Sequence, residues 1–151
     1  MSAFIDLSKN YSFYAIPVAW FLAFAPGIYS KALGGKNYDI AMPRKYAENI
    51  EKDQTLTKAT KAKILRCEAA AANGQETLPM FVTSIIAANY AGVPVETINM
   101  LAGVYLGSRA LYNFTYVFLQ ENPSFAPVRS LVWNAGVVSW MTLFIKSGNR
   151  L

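Results

Sequence analysis

Arg66–Phe81, RCEAAAANGQETLPMF, places an arginine, two glutamates, an asparagine and a glutamine in a segment that otherwise reads as membrane-spanning. Ionisable groups at such depth are costly, and where they occur they mark a functional site by default. Arg66, Asn73 and Glu76 are seven and then three residues apart, the spacing that gathers side chains on one face of a helix. Small and apolar residues are left for the other side. The stretch predicts a membrane helix with one polar wall.

The surrounding composition supports a membrane setting. Of the 151 residues, 54% are hydrophobic and only 15% are charged, well below the roughly 25% of an average soluble domain. The apolar residues gather into four runs, at about 11–29, 66–91 (or from Ala69), 95–119 and 128–145. Each is close to the roughly 20 residues that cross a bilayer. Short links, Gly92-Val93-Pro94 and the stretch from Asn122-Pro123 to Pro127, make neighbouring helices antiparallel. The expected fold is an all-α integral membrane protein, a single domain over 1–151 built as a four-transmembrane-helix bundle.

Pro17 and Pro26 predict that the first run is kinked or ends early near Pro26-Gly27, because proline removes a helix hydrogen bond and crowds the preceding turn. Ala23-Phe24-Ala25 has the form of a signal-peptide cleavage site. The segment lacks a basic start, however, and proline would follow the cut, which favours a retained helix. From Lys31 to Lys63 there are eight Lys or Arg against four Asp or Glu, the pattern of a cytosolic connection. Both termini then fall on the opposite side. The net charge of +5 is concentrated in this 31–65 loop, not in a stripe interleaved with exposed aromatics, which argues against a nucleic-acid partner.

With no histidine and one cysteine, the chain has no disulfide framework, and the same count argues against zinc or haem sites. Cys67 reads as a small packed residue more than as a reactive thiol. No phosphate-binding glycine loop, HExxH or nucleophile triad is present. Gly103 and Gly107 form a GxxxG pattern that permits close helix contact.

Arg109, Tyr112 and Tyr116 are spaced three and then four apart and share a face of the third helix; the fourth begins near Arg129. Glu68 and Glu76 are the acids within the spans available to these arginines. Two readings follow. Arg66 or Arg109 could pair with Glu76 to fix helix packing. Alternatively, three cations against two acids leave positive charge for an anionic ligand. Tyr112 and Tyr116 would then hydrogen-bond that ligand or a neighbouring subunit, whereas Tyr11, Tyr14, Trp133 and Trp140 belong in part to the interfacial aromatic class.

Arg66-x-Glu68, Asn73-x-x-Glu76 and Pro79-x-Phe81, with Arg109-x-x-Tyr112-x-x-x-Tyr116 and later Arg129, resemble the MAPEG proteins, the microsomal glutathione transferases and eicosanoid synthases. The resemblance spans roughly residues 43 to 145. It implies a homotrimer in the endoplasmic reticulum, with glutathione between subunits near the cytosolic side and a lipophilic substrate, among membrane lipid, in a bilayer-facing groove. Arg66, Asn73, Glu76, Arg109, Tyr112 and Tyr116 would bind glutathione, with Asn73 and Glu76 on its amino and backbone groups. Arg129 would favour the thiolate; in a glutathione-independent isomerisation in the same cleft, Glu76 or Tyr112 would be the proton donor.

The sequence departs from the family pattern at Ala69 and Ala72, where basic residues are common. Lys31, Lys36 or Arg44 could compensate. The implied activity is a glutathione-dependent transferase or peroxidase acting on lipophilic electrophiles. Two alternatives stand beside it: a glutathione-independent isomerase or cyclase of a hydrophobic metabolite in the same cleft, and a non-enzymatic membrane scaffold.

Overall fold

A computed structural model describes residues 9–151; the first eight positions of the expected 1–151 domain lie outside the described residues. All regular structure among the described residues is helical: α1 (Ser12–Gly34), α2 (Tyr46–Lys52), α3 (Lys58–Tyr90), α4 (Val95–Phe114) and α5 (Ala126–Gly148). Four of these are long. α1 packs along α3 and α4 along α5, with α3 also against α5 and α4, and α1 against α4.

Helix α1 does not end at Pro26-Gly27 as its sequence suggests; it continues to Gly34. Pro26 has no N–H to give the carbonyl of Leu22, one turn earlier. The Asn113 side chain on α4 donates its Nδ2 to that carbonyl at 2.8 Å. A neighbouring helix thus supplies the missing donor, as proline-containing membrane helices require. Gly35, at φ 49, then turns the chain out of the helix.

The second long helix begins at Lys58, not at Arg66, because Thr57 caps it by accepting from Thr60 N at 3.1 Å. It stops after Tyr90. Gly92 takes φ 66, and Val93 N reaches back to Ala88 O at 2.9 Å, a glycine-dependent helix end. The 31–65 segment is likewise more ordered than a solvated loop. It contains a tight turn at Pro43–Lys45, helix α2 and the first two turns of α3. Tyr46 is buried beneath Gly34 and donates its hydroxyl to Ser30 O at 2.6 Å; burial raises its pKa above the ordinary tyrosine value. Asp53 accepts from Thr55 N, Thr55 Oγ1 and Asn37 Nδ2 at 2.6 to 2.7 Å. These bonds, those from Thr55 foremost, hold its carboxyl well below the usual range.

Helix contact is closest where side chains are smallest. A Cβ added at Gly74 would come within 2.8 Å of Ala23 Cα, and one at Gly136 within 2.6 Å of Ser108 Oγ. Within the single chain the GxxxG pair makes no such contact, since a Cβ at Gly103 or Gly107 would meet nothing within 4 Å. Phe81 and Tyr105 stack at 3.9 Å in the largest apolar cluster, with Ile85, Ile98 and Leu143 around them. Two helical stretches, Ser12–Asn37 and Pro123–Gly148, are long and apolar enough to cross a membrane. Their outward side chains include Trp20, Phe21, Ile28, Leu131, Val138 and Ile145, all exposed.

Candidate functional site

The polar wall of α3 meets α4 and α5 at the end of the molecule nearer the 31–65 segment. Arg109, only 4% exposed, donates from Nη1 to Asn73 Oδ1 at 3.0 Å. Its guanidinium carbon lies 4.5 Å from the centre of the Tyr112 ring. Tyr112 meets Tyr116 edge to face at 5.7 Å, and Arg129 stands 4.4 Å over Tyr116. Two arginines and two tyrosines therefore form one continuous stack across two helices and the turn between them.

Local backbone geometry places the outer half of that stack. After Phe114 the chain widens into a π-helical turn, Thr115–Leu119, closed by Gln120 N to Thr115 O at 2.9 Å. Such widened turns recur at functional sites because they redirect side chains out of the α register. Tyr116 lies in this turn. A short turn at Pro123–Phe125 then starts α5, with Pro127 in its first turn, and brings Arg129 round to the Tyr116 ring. The long Tyr116-to-Arg129 linker is taken up by these two turns.

The paired-charge reading is corrected here. Neither Arg66 nor Arg109 forms an ion pair with Glu76 among the described residues, and Glu68 lies 3.9 Å from Lys31 instead. Arg109 reaches the amide of Asn73 and the Tyr112 face. Glu76 is exposed on the outward side of α3, next to Gln75, yet it remains among the electrostatic neighbours of Tyr112 together with Arg109, Arg129 and Tyr116. Arg66 is half-buried and does not touch the stack; its Nε is buried with no hydrogen-bond partner.

Arg66 Nε, Arg109 Nη2 and Trp133 Nε1 are buried donors without hydrogen-bond partners, and Glu68 Oε1 and Gln120 Oε1 are buried acceptors without them. Buried polar groups are ordinarily satisfied, so such a set calls for an explanation. With Oδ1 of Asn73 occupied by Arg109, its Nδ2 is left to donate elsewhere. Arg109 Nη2 and Trp133 Nε1, both beside Tyr112, are the donors that an acceptor-bearing ligand would satisfy.

Sequence reasoning assigned Trp133 partly to the membrane interface, but it packs on the cluster of Cys67, Ala70, Tyr112 and Val117. Its spacing of four from Arg129, one helical turn, was the available signal. Asn113 was missed as well. The orphan carbonyl that Pro26 creates was the clue, since some facing side chain had to supply a donor. Cys67 is fully buried in the same cluster, in keeping with a packed residue.

A second recess, about 250 Å³, lies where α1 meets the outward side of α3, lined by Phe24, Gly27, Ile28, Lys31, Glu68 and Gln75 with Ala71 and Ala72. Lys31 is half-buried there, whereas Lys36 and Arg44 are exposed in the connecting segment. Ala69 and Ala72 face outward, so no cation replaces them on α3 itself.

The architecture and outward apolar surface define an all-helical protein of membrane character, with a buried arginine–tyrosine site. The chain belongs to the MAPEG family: the family model matches residues 11–149. No curated protein and no solved structure matches it.

Proposed function

We propose that this protein is a membrane-embedded glutathione-dependent transferase or peroxidase acting on lipophilic electrophiles. Family membership supports glutathione-related membrane chemistry in general. The observation that carries the narrower reading is the stack running from Asn73 through Arg109, Tyr112 and Tyr116 to Arg129, with buried donors unpartnered beside it. Glutathione offers two carboxylates and two amide carbonyls, the acceptors such a set requires. Arg66, Asn73, Arg109, Tyr112 and Tyr116 hold the tripeptide, and exposed Glu76 takes its ammonium group.

Arg129 acts on the sulfur. A neighbouring cation lowers a thiol pKa from about 8.5 and raises the thiolate fraction at neutral pH. In conjugation, the sulfur forms a bond to an electrophilic carbon, the thiol proton having passed to solvent, and a leaving group departs or a conjugated bond takes up the electron pair. In peroxide reduction, two glutathiones become the disulfide while the lipid hydroperoxide becomes an alcohol and water.

The fold in this reading is a four-helix transmembrane bundle assembled as a homotrimer in the endoplasmic reticulum. Gln75 and Glu76 support assembly. They are exposed on α3, which in this reading crosses lipid, and a neighbouring subunit would cover them. Lys31 from the α1–α3 recess of that neighbour is then the cation that replaces the ones missing at Ala69 and Ala72.

Those two alanines also favour a second reading, in which the cleft isomerises or cyclises a hydrophobic metabolite without glutathione. Turnover of a lipophilic electrophile by purified protein separates the two. Strict dependence on added glutathione is expected, and turnover undiminished without any thiol would establish the second reading instead.

A further inference from the structure

Between α1 and α4, outside the arginine–tyrosine stack, lies an open groove of about 300 Å³ walled by Leu22, Ala25, Tyr29, Phe114, Val117 and Phe118. Of its lining residues, Asn113 donates Nδ2 to the Leu22 carbonyl, while its Oδ1 is buried without a hydrogen-bond partner. Aromatic rings line one end: Tyr29 and Phe118 lie 6.0 Å apart, and Phe114 and Phe118 lie 5.6 Å apart. Lys63 stands over this end, its Nζ 4.7 Å from the centre of the Phe118 ring and 5.5 Å from that of Tyr29. Among the described residues no carboxylate pairs with it. An apolar slot thus ends at an ammonium group that has aromatic faces for company but no counter-ion.

We propose that this slot holds an acyl chain of an anionic glycerophospholipid from the surrounding bilayer, with the lipid phosphate bound by Lys63. Charge complementarity selects that occupant. A sterol or a neutral lipid would fill the apolar walls and leave the ammonium uncompensated, whereas a phosphate neutralises it at the slot's mouth. The aromatic faces hold the cation in place and shield one side of it from water, which strengthens its attraction for an anion. Lys63 also belongs to the segment with eight basic against four acidic residues, and basic juxtamembrane segments enrich anionic lipid locally. The proposal rests on the membrane character of the chain and uses no residue of the glutathione reading.

Native mass spectrometry tests it on full-length protein exchanged into mixtures of phosphatidylglycerol and phosphatidylcholine with identical chains. The wild type is expected to retain phosphatidylglycerol about tenfold better than phosphatidylcholine, whose own choline cation offsets its phosphate and weakens the charge-assisted contact. Lys63→Ala should abolish that preference, Lys63→Arg should keep it, and Lys58→Ala, at an exposed lysine of the same helix, should leave it unchanged. Ala110→Phe, which fills the slot, should reduce retention of both lipids. Equal retention of the two lipids by the wild type would overturn the proposal, as would an undiminished preference in Lys63→Ala or displacement of phosphatidylglycerol by equimolar oleate.

Discussion

Arg109→Met is expected to leave the helices folded while weakening glutathione binding by about 10- to 100-fold, the equivalent of one lost charge-assisted hydrogen bond of about 1.5–3 kcal/mol. The two effects separate because of where the charge sits. Arg109 is 4% exposed, its Nη2 has no partner, and among the described residues no carboxylate neutralises it. A buried cation in that condition contributes little to folding, and replacing it by an apolar side chain of similar length is often neutral or stabilising. Some of that gain is offset because Asn73 Oδ1 loses its donor. Binding has no such compensation: the ligand loses the guanidinium, and the Asn73 amide loses the contact that fixes its orientation. Calorimetric titration with glutathione, run beside a thermal melt, measures both. Unchanged affinity with a collapsed melt would assign Arg109 to packing alone.

Gly74→Val is expected to be the most disruptive single change in the helix core. A Cβ at Gly74 would lie 2.8 Å from Ala23 Cα and 3.1 Å from Ala23 Cβ, so the obstacle is largely backbone that cannot rotate away. Glycine inside a helix ordinarily sacrifices about 1 kcal/mol relative to alanine, and removing it would stabilise a helix standing alone. Overpacking acts in the opposite direction by about 1–3 kcal/mol, and here it separates α1 from α3 along their closest approach. Because Asn73 precedes Gly74 and Gly27 meets Ala71 at the same interface, the shift would also move the site's polar wall. Thermal stability should fall by several degrees and glutathione binding should fall with it. A melt matching wild type would show that the two helices part without penalty.

Much of this was legible in the sequence because long apolar helices leave strong marks. Runs of apolar residues located all four long helices, and glycine and proline located the turn at Gly92-Val93-Pro94. Side-chain spacing likewise identified Arg109, Tyr112 and Tyr116 as one face, and the structure places them with Asn73 and Arg129 in one stack. Helix ends were less legible. Pro26 signals a break by local rules, and what cancels the break is an asparagine 87 residues further along the chain, a tertiary event that periodicity does not encode. Lys58 to Leu65 is charged enough to read as loop, yet a threonine cap and packing of Ile64 against Tyr46 and Ile50 make it helix.

Of the two readings of the arginines, pairing with Glu76 is the one the geometry rules out, for a related reason: helix rotation turns Glu76 outward and presents Asn73 to Arg109. The π-helical turn at Thr115–Leu119 has no motif in sequence, and it is this turn that carries Tyr116 to Arg129.

Difference absorbance of the glutathione thiolate, recorded as glutathione is titrated into purified wild-type protein and into Arg129→Ala at neutral pH, probes the proposed site at its reacting atom. A saturable thiolate signal in the wild type that is lost in Arg129→Ala, with the tripeptide still bound, is the expected result. No thiolate signal at saturating glutathione, or an equal signal in both proteins, would contradict thiolate activation by Arg129.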